Sequence, residues 1–151
     1  MKEFKKILFP VDLSEISPKL VLYVKYMAKK FDAEIHLLFV ARILQHYTSI
    51  YVSHPSIDLF ERELVEGAER KLYEFKEEHF GNLPETLSTV IIGNPAEEII
   101  RYVSTSGIDL IVMGSHGRQG FDKVAFGSVA EKVVKSSPIP VLIVNPYRDS
   151  L

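Results

Sequence analysis

The sequence predicts an α/β protein built on a doubly wound parallel β-sheet with helices on both faces. Short apolar runs alternate along the chain with segments of helical periodicity, in the order β-α-β-α-β-α-β-α-β. Most of these runs are continuous, which is typical of strands buried on both faces. The alternation favours right-handed crossover connections, so that each helix covers one face of the sheet.

The strands are predicted from their apolar residues. Four runs are mostly continuous, namely Ile7 to Phe9, Ile35 to Val40, Leu110 to Met113 and Val141 to Val144. A fifth run, Thr86 to Ile92, partly alternates between apolar and polar residues. Alternation is typical of a strand with one solvated face, so we expect this fifth strand closer to an edge of the sheet.

The helices are predicted from apolar spacing and from residues that begin or end helices. Asp58, with Glu61 three residues later, forms a capping box at the start of the second helix, which stops at Gly81. Residues 41–57 form a long connection without a clear period, which is typical of a functional or mobile loop. The predicted helix starts are Ser17, Asp58, Asn94-Pro95 and Ser128.

Composition excludes several classes of protein. The chain has no cysteine, which excludes disulfides, thiolate catalysis and cysteine-ligated metal. The net charge of −2 gives no general attraction to nucleic acid or acidic membranes. The amino-terminal MKEFKKILFP is not a signal peptide, and no apolar run approaches the roughly 20 residues that span a bilayer. We therefore expect one cytoplasmic domain over residues 1–151, without nucleic-acid or membrane partners.

Glycines cluster after the fourth predicted strand, where open α/β sheets bind ligands. Gly114 and Gly117 follow this strand, and Gly127-Ser128 begins the fourth helix. Glycine lets the backbone approach a phosphate closely, and a helix N-terminus adds unpaired N–H donors. A turn explains any one of these glycines, but their placement together indicates a phosphate site. Since GxxxxGK[ST] and GxGxxG are both missing, a mononucleotide held by a different loop fits best.

Several side chains near this site have two interpretations. Asp12 can accept hydrogen bonds from ribose hydroxyls or an adenine amino group, or it can cap the turn before the first helix. Ser128 can donate to a phosphate or cap its own helix. Arg118 can pair with phosphate or remain a solvated charge. His116 lies between two motif glycines, so its backbone belongs to the loop; the other histidines show no zinc-site cluster.

The glycine spacing resembles that of a known family. Gly114-x2-Gly117-x9-Gly127-Ser128 resembles the G-2x-G-9x-G-(S/T) ATP-binding motif of the universal stress proteins. The similarity covers most of the chain and is weakest from residue 41 to 85. Other segments that resemble the family's strands and turns are Ile7 to Ser14, Gly93 to Pro95, Asp109 to Gly114 and Ser137 to Val141.

The resemblance implies a Rossmann-like adenine-nucleotide-binding fold with a five-stranded sheet in the order 3-2-1-4-5. It implies ATP as the ligand, with Mg²⁺ or Mn²⁺ carried on the phosphates. In that strand order the last strand, Val141 to Val144, lies at an edge, where pairing with a second copy gives a homodimer; a monomer whose edge is hidden by residues 41–57 is the alternative. The nucleotide-binding positions implied are Pro10, Val11, Asp12, Val40, Met113, Gly114, His116, Gly117, Arg118, Gly127, Ser128 and Val129, with Val40 and Met113 lining the adenine pocket.

These observations favour an ATP-binding stress-response protein that regulates a protein partner through contacts. The alternative is a slow ATPase or a nucleotidyl-transfer enzyme of the same broad fold. Such enzymes need a positioned base and usually a carboxylate that holds a metal, whereas Asp12 and Asp122 are the carboxylates near the motif. The turn Pro10 to Ser14 also lacks the glycines of the Ser-Gly-Gly-x-Asp-Ser loop of adenylate-forming enzymes. We therefore expect no catalytic residues and at most slow hydrolysis; the intact motif disfavours a member that does not bind ATP.

Overall fold

Strands and helices alternate along the whole described chain, as the sequence predicts. The computed structural model describes residues 3–14, 17–42, 55–81, 83, 85–116 and 127–147, without the side chains of residues 55–57. The elements in chain order are β1 (Lys6–Pro10), α1 (Ser17–Phe31), β2 (Glu34–Ala41), α2 (Pro55–Phe80), β3 (Thr86–Ile92), α3 (Pro95–Ser106), β4 (Leu110–Gly114), α4 (Ser128–Ser136) and β5 (Val141–Val144).

The described strands form one parallel sheet in the order β3-β2-β1-β4-β5, which confirms the predicted order. β1 is paired on both sides, since Leu8 lies opposite His36 of β2 and Ile111 of β4. The chain adds strands in one direction from β1 to β3 and in the other from β4 to β5. The carboxyl ends of β1 and β4 therefore flank the switch point, where ligands bind in this type of sheet.

Two hydrophobic clusters lie on the two faces of the sheet. Helices α1 and α2 cover one face, and α3 and α4 cover the other. Adjacent residues of β1 point to opposite faces, so Phe9 belongs to the first cluster and Leu8 to the second. The ring centroid of Phe9 lies 6.4 Å from those of both Phe75 and Phe80 of α2. These contacts fix α2 on the sheet.

The element boundaries agree with the sequence prediction at most positions. The predicted bounds of β3 and β5 are confirmed, and α2 ends at Phe80, one residue before the predicted stop. The predicted start of α2 at Asp58 is wrong, because the helix begins at Pro55. Proline suits a first helical turn, where its missing N–H would have had no partner. Residues 43–54 of the predicted connection lie outside the described residues.

Both ends of α3 are capped, and the helix starts at the predicted Asn94-Pro95. Asn94 is its N-cap, and the side-chain oxygen accepts a hydrogen bond from the backbone N–H of Glu97. At the other end Gly107 adopts a left-handed conformation with φ of 66°, and its N–H donates to the carbonyl of Val103. Both caps satisfy backbone groups that the helix itself leaves unpaired.

The length of α2 exceeds what the sheet covers. The helix has 26 residues, and the buried apolar residues on its inner face begin at Ala68 and continue through Leu72 and Phe75. Leu59 and Phe60, closer to its start, are exposed.

No helix in the described part of the chain has the length and apolarity needed to span a membrane.

We predict that Phe9→Ala lowers the free energy of unfolding by about 3–5 kcal/mol, because the truncation leaves a cavity between β1 and α2. Leu22→Ala is the matched control, since Leu22 is exposed on α1, and it should change stability by about 0.5 kcal/mol or less. Urea denaturation of both variants measures the difference. Equal effects would contradict the central place of Phe9 in the core.

Candidate functional site

The switch point of the sheet has a defined backbone framework. β1 continues there into Val11–Ser14, and β4 continues into Ser115 and His116. The backbone N–H of Gly127 donates to the carbonyl of Ser115 at 2.7 Å, which attaches the start of α4 to the end of β4. The N–H of Ser115 donates in turn to Val144 of β5 at 2.9 Å. The first turn of α4 is therefore held beside the crevice between β1 and β4.

The N-terminus of α4 differs from that of α3 in its cap. Its N-cap is Gly127, with φ of −64° and ψ of 152°, and no described side chain caps the helix. Ser128, which the sequence offered as a possible cap, is instead the first helical residue and is exposed. Among residues 3–116 and 127–147, as far as the structure describes them, no side chain accepts from the first backbone N–H groups of α4. A helix start of this kind carries a partial positive charge and favours anions.

Gly114 is explained by close packing at the end of β4. A Cβ at this position would lie 3.1 Å from the Cδ1 atom of Leu20 and 3.2 Å from the carbonyl oxygen of His116. Both distances are shorter than ordinary van der Waals contact, so a side chain would push these groups apart. The glycine therefore keeps the strand end close to the segment that follows it, which is the arrangement needed for backbone contact with a ligand.

His116 is buried and has one ring nitrogen without a partner. Its Nδ1 atom is 2.7 Å from the hydroxyl oxygen of Ser115, and its ring meets the ring of Tyr147 edge to face at 5.2 Å. Its Nε2 atom finds no hydrogen-bond partner among the described residues. A buried polar atom left unpaired costs about 1–3 kcal/mol. This nitrogen is therefore a position at which an added polar group would be stabilising.

Asp12 organises the turn between β1 and α1. Its Oδ1 atom accepts hydrogen bonds from the N–H of Ser14 at 3.0 Å, from the Ser14 hydroxyl at 2.6 Å and from the Ser17 hydroxyl at 2.8 Å. Leu13 between them has φ of 58°, a conformation that these bonds help to hold. The turn-capping interpretation of Asp12 is therefore confirmed. All three of these bonds go to Oδ1.

The predicted adenosine contacts all lie at the carboxyl ends of strands. Pro10 ends β1, and the N–H of the buried Val11 donates to Leu38 of β2 at 2.9 Å. Val40, near the end of β2, is half-buried, and Met113, near the end of β4, is buried. Both side chains pack in the cluster beneath α3 and α4. Their core role is confirmed, and their contact with adenine stays a prediction.

Two of the predicted phosphate contacts, Gly117 and Arg118, lie outside the described residues, as does Asp122. The structure does describe the residues on either side of them, His116 and Gly127. It therefore brings together the two ends of the glycine motif at one edge of the sheet. Val129, in the first turn of α4, is half-buried.

An ion pair neutralises the one carboxylate in the first turn of α4. Glu131 accepts a hydrogen bond from the Nζ atom of Lys135 at 2.8 Å. This hydrogen bond, together with the positive charge of Lys135, lowers the pKa of Glu131. The paired lysine offsets a negative charge that would otherwise weaken anion binding at this helix end.

Among the residues that the structure describes, no three His, Cys, Asp or Glu side chains come together as a metal site.

Sequence reasoning missed three residues of this framework. Ser115 bonds His116, Ser17 bonds Asp12, and Tyr147 covers the His116 ring. Ser115 is signalled by its place inside the glycine motif. Ser17 was expected only to cap α1, and nothing in the sequence connects Tyr147 with His116 across 30 residues of chain.

Comparison with known proteins agrees with this geometry. The sequence model of the universal stress protein family matches residues 3–145. Universal stress protein MJ0531 of Methanocaldococcus jannaschii is 34% identical over 147 residues, which cover 94% of this chain and 82% of that protein. The solved structure of MJ0577 from the same organism has a TM-score of 0.83 at 30% identity and covers 99% of this chain and 100% of its own.

A more distant structure, a universal stress protein in complex with cAMP, has a TM-score of 0.61 at 19% identity and covers 96% of this chain and 99% of its own. At this identity the likeness shows the fold alone. The family match and the relatives above 30% identity extend over nearly the whole sequence. The chain belongs to the universal stress protein family.

Proposed function

We propose that this protein binds ATP in the crevice between β1 and β4 and acts as a nucleotide-dependent stress-response module. In this proposal it is a single cytoplasmic domain that regulates a protein partner through contacts. The observation that carries the proposal is the uncapped N-terminus of α4, held by the Gly127–Ser115 hydrogen bond beside the glycine that ends β4.

The phosphate end of the site is supported by the donors present. No side chain among the described residues accepts a hydrogen bond from the backbone N–H groups in the first turn of α4. The buried Nε2 atom of His116 is a further polar group without a partner among the residues that the structure describes. Phosphate oxygens are acceptors that suit such N–H donors. Mg²⁺ or Mn²⁺ would arrive on the phosphates and keep most of its waters, since such ions need few protein ligands.

The adenosine end is supported by the carboxyl ends of β1, β2 and β4. Asp12 is held through Oδ1 by Ser14 and Ser17, and in this proposal its Oδ2 atom accepts from a ribose hydroxyl or an adenine amino group. Val40 and Met113 offer apolar surface of the kind that contacts a base. The structurally similar protein solved with cAMP holds an adenine nucleotide; for this chain the support is its own glycine motif.

Binding rather than catalysis is favoured by the carboxylates. Asp12 is engaged by the turn, and the described residues contain no cluster of acids that would hold a catalytic metal. Phosphoryl transfer depends on such groups to position the nucleophile and neutralise charge. ATP would therefore act as a bound effector whose presence changes the surface offered to a partner.

We predict that Gly127→Asp weakens ATP binding without unfolding the protein. The backbone angles of Gly127 suit any residue, and an aspartate there would cap α4 and change stability by only a few tenths of a kcal/mol. Its charge would repel phosphate, so we expect ATP affinity to fall at least about tenfold. Titration calorimetry with Mg-ATP, on the wild type and on the variant, measures this loss.

Asn94→Asp is the matched control for this substitution. It adds the same charge to the N-cap of α3, at the β3 side of the sheet, and should leave ATP affinity unchanged. Absence of ATP binding by the wild type would overturn the proposed function. Equal losses in both variants would show that the effect is one of overall charge and not of the α4 site.

We predict that Asp12→Asn separates the turn from the ligand contact. The amide oxygen can keep the bonds from Ser14 and Ser17, whereas an NH₂ group replaces the oxygen offered to adenosine. Stability should therefore change by less than about 1 kcal/mol, while ATP affinity falls about tenfold and inorganic triphosphate binds as before. Ser17→Ala should show the reverse, with lower stability and unchanged ATP affinity. Calorimetry and thermal melting distinguish the two patterns.

We also propose that β5 pairs with β5 of a second copy to give a homodimer. β5 is the last strand of the sheet order, and its four residues are only half-buried. An edge strand presents unpaired N–H and C=O groups along its outer side. Antiparallel pairing about a two-fold axis would satisfy both edges at once.

We predict that Ile143→Lys converts the dimer to a monomer, because it places a charge at the centre of the paired edge. Leu87→Lys is the matched control, since Leu87 is exposed on β3, the strand at the opposite edge of the sheet. Sedimentation velocity at micromolar concentration measures the change, with circular dichroism to confirm folding. A wild-type protein that sediments as a monomer under these conditions would contradict the paired edge.

A further inference from the structure

Strand β3 lies at one edge of the sheet and, within the described chain, pairs with β2 alone. The carbonyl of Glu85, just before β3, accepts from a backbone N–H of β2, and the N–H of Gly93, just after it, donates to β2. Alternate residues of a strand direct their backbone groups to opposite sides. The N–H and C=O groups of Ser88 and Val90 therefore point to the outer edge, beyond which no described strand lies.

This edge lacks the features that usually prevent strand pairing. Proteins protect an edge strand with lysine, proline, a β-bulge or a very short length. The sequence of β3 is TLSTVII, with no charged residue and no proline. Its register with β2 is continuous from Thr86 to Ile92, so it contains no bulge. β5, at the other edge, has only four residues, so β3 is the longer edge strand.

A groove of about 450 Å³ lies beside this edge, between β3 and α2. Tyr73, on its α2 side, is 55% exposed. Alternate side chains of a strand point to opposite faces, and on the face away from α2 Leu87 is 51% exposed. An added strand would therefore meet a polar groove on one face and an apolar side chain on the other. The groove is lined by Glu69, Leu72, Tyr73, Ser88, Thr89 and Val90.

Glu69 gives the groove a negative charge. It is the charged residue among those that line the groove, it is exposed, and no described cation forms an ion pair with it. Two basic residues of α2 make other contacts. The guanidinium of Arg70 is directed toward Gly67, and the Nζ atom of Lys76 lies 5.3 Å from the ring centroid of Tyr73. An incoming cation can therefore pair with the Glu69 carboxylate.

We propose that the outer edge of β3 binds an extended basic segment of a protein partner, which adds to the five-stranded sheet as a further strand. Backbone hydrogen bonds to Ser88 and Val90 supply affinity, and side chains that alternate along the segment supply specificity. An arginine or lysine on one face of the segment reaches Glu69, and an apolar residue on the other face packs against Leu87. The segment is therefore one in which basic and apolar residues alternate.

A second copy of the chain fits this edge less well. Antiparallel pairing of β3 with β3, about a two-fold axis perpendicular to the sheet, keeps both α2 helices on one face. The two Glu69 side chains would then lie beside the same joint, where like charges oppose pairing. β3 has no basic residue that could offset them.

The proposal adds to the proposed function the surface that a protein partner uses, and it rests on that function only for the existence of such a partner. The β3 edge is separate from the crevice between β1 and β4. Peptide binding is therefore measured without ATP. A failure of ATP binding and a failure of this proposal are then distinguishable.

Amide exchange in the wild-type protein, measured by NMR, tests the edge itself. The N–H groups of Leu87 and Thr89 point toward β2 and should exchange slowly. Those of Ser88 and Val90 should exchange at least about tenfold faster, because they point outward. Slow exchange at all four positions would overturn the proposal, since another part of the chain or a second copy would already cover the edge.

A designed peptide, acetyl-Ser-Val-Arg-Val-Arg-Val-Ser-amide, tests the occupant. Its addition should shift the amide signals of Ser88 and Val90 in a saturable way. The same peptide with N-methyl groups on its valines and arginines keeps the charge but loses the backbone donors of a strand, so it should not bind. Three results would each overturn strand addition: no binding at about 1 mM peptide, shifts confined to other residues, or equal binding of the methylated peptide.

Charge reversal at Glu69 tests the specificity. Glu69→Lys should bind the arginine peptide at least about fivefold more weakly than the wild type, and should bind more tightly the peptide in which glutamate replaces arginine. Glu74→Lys is the matched control, since Glu74 is exposed on α2 and does not line the groove, and its affinities should equal those of the wild type. Equal changes in both variants would indicate an effect of net charge and overturn the role of the groove. Thermal melting confirms that both variants are folded.

Discussion

The burial of β1 between two strands and two helical layers is the constraint on which the rest of the structure depends. A strand in this position must be apolar on both faces, and Ile7, Leu8 and Phe9 are all fully buried. Because β1 is the first strand and lies at the centre, the chain has to add later strands on either side of it. This order creates the switch point, so the position of the crevice follows from the burial of one strand.

Helix α3, which follows β3, and helix α4, which precedes β5, begin in different ways. α3 is closed at its start by Asn94 and at its end by Gly107, and its backbone groups serve the fold. α4 begins at a glycine without a capping side chain among the described residues. Leaving a helix start open costs a little stability, and such local costs are typical of sites that receive a ligand.

The sequence predicts most of the fold because its apolar runs are long enough to mark the strands. β3 and β5 were found at their bounds, and the strand order followed from the family resemblance. The start of α2 was missed because a capping pattern at Asp58 looked stronger than Pro55, which carries no cap. In the site, the turn-capping role of Asp12 could be foreseen, whereas the buried Nε2 atom of His116, which has no partner among the described residues, could not. That property depends on Tyr147 and Ser115 enclosing the ring, and burial by distant residues has no sequence pattern of its own.

The hydrogen bond from Ser17 to Asp12 has a mechanical consequence. Ser17 is the first residue of α1, and a helix of this length moves as a stiff rod. From Ser17 to Lys29 the rod extends about 18 Å. A displacement of the Asp12 carboxylate would therefore shift the far end of α1 as well. The crevice at one edge of the sheet and Lys29, in the last turn of α1, are joined by a single rigid element.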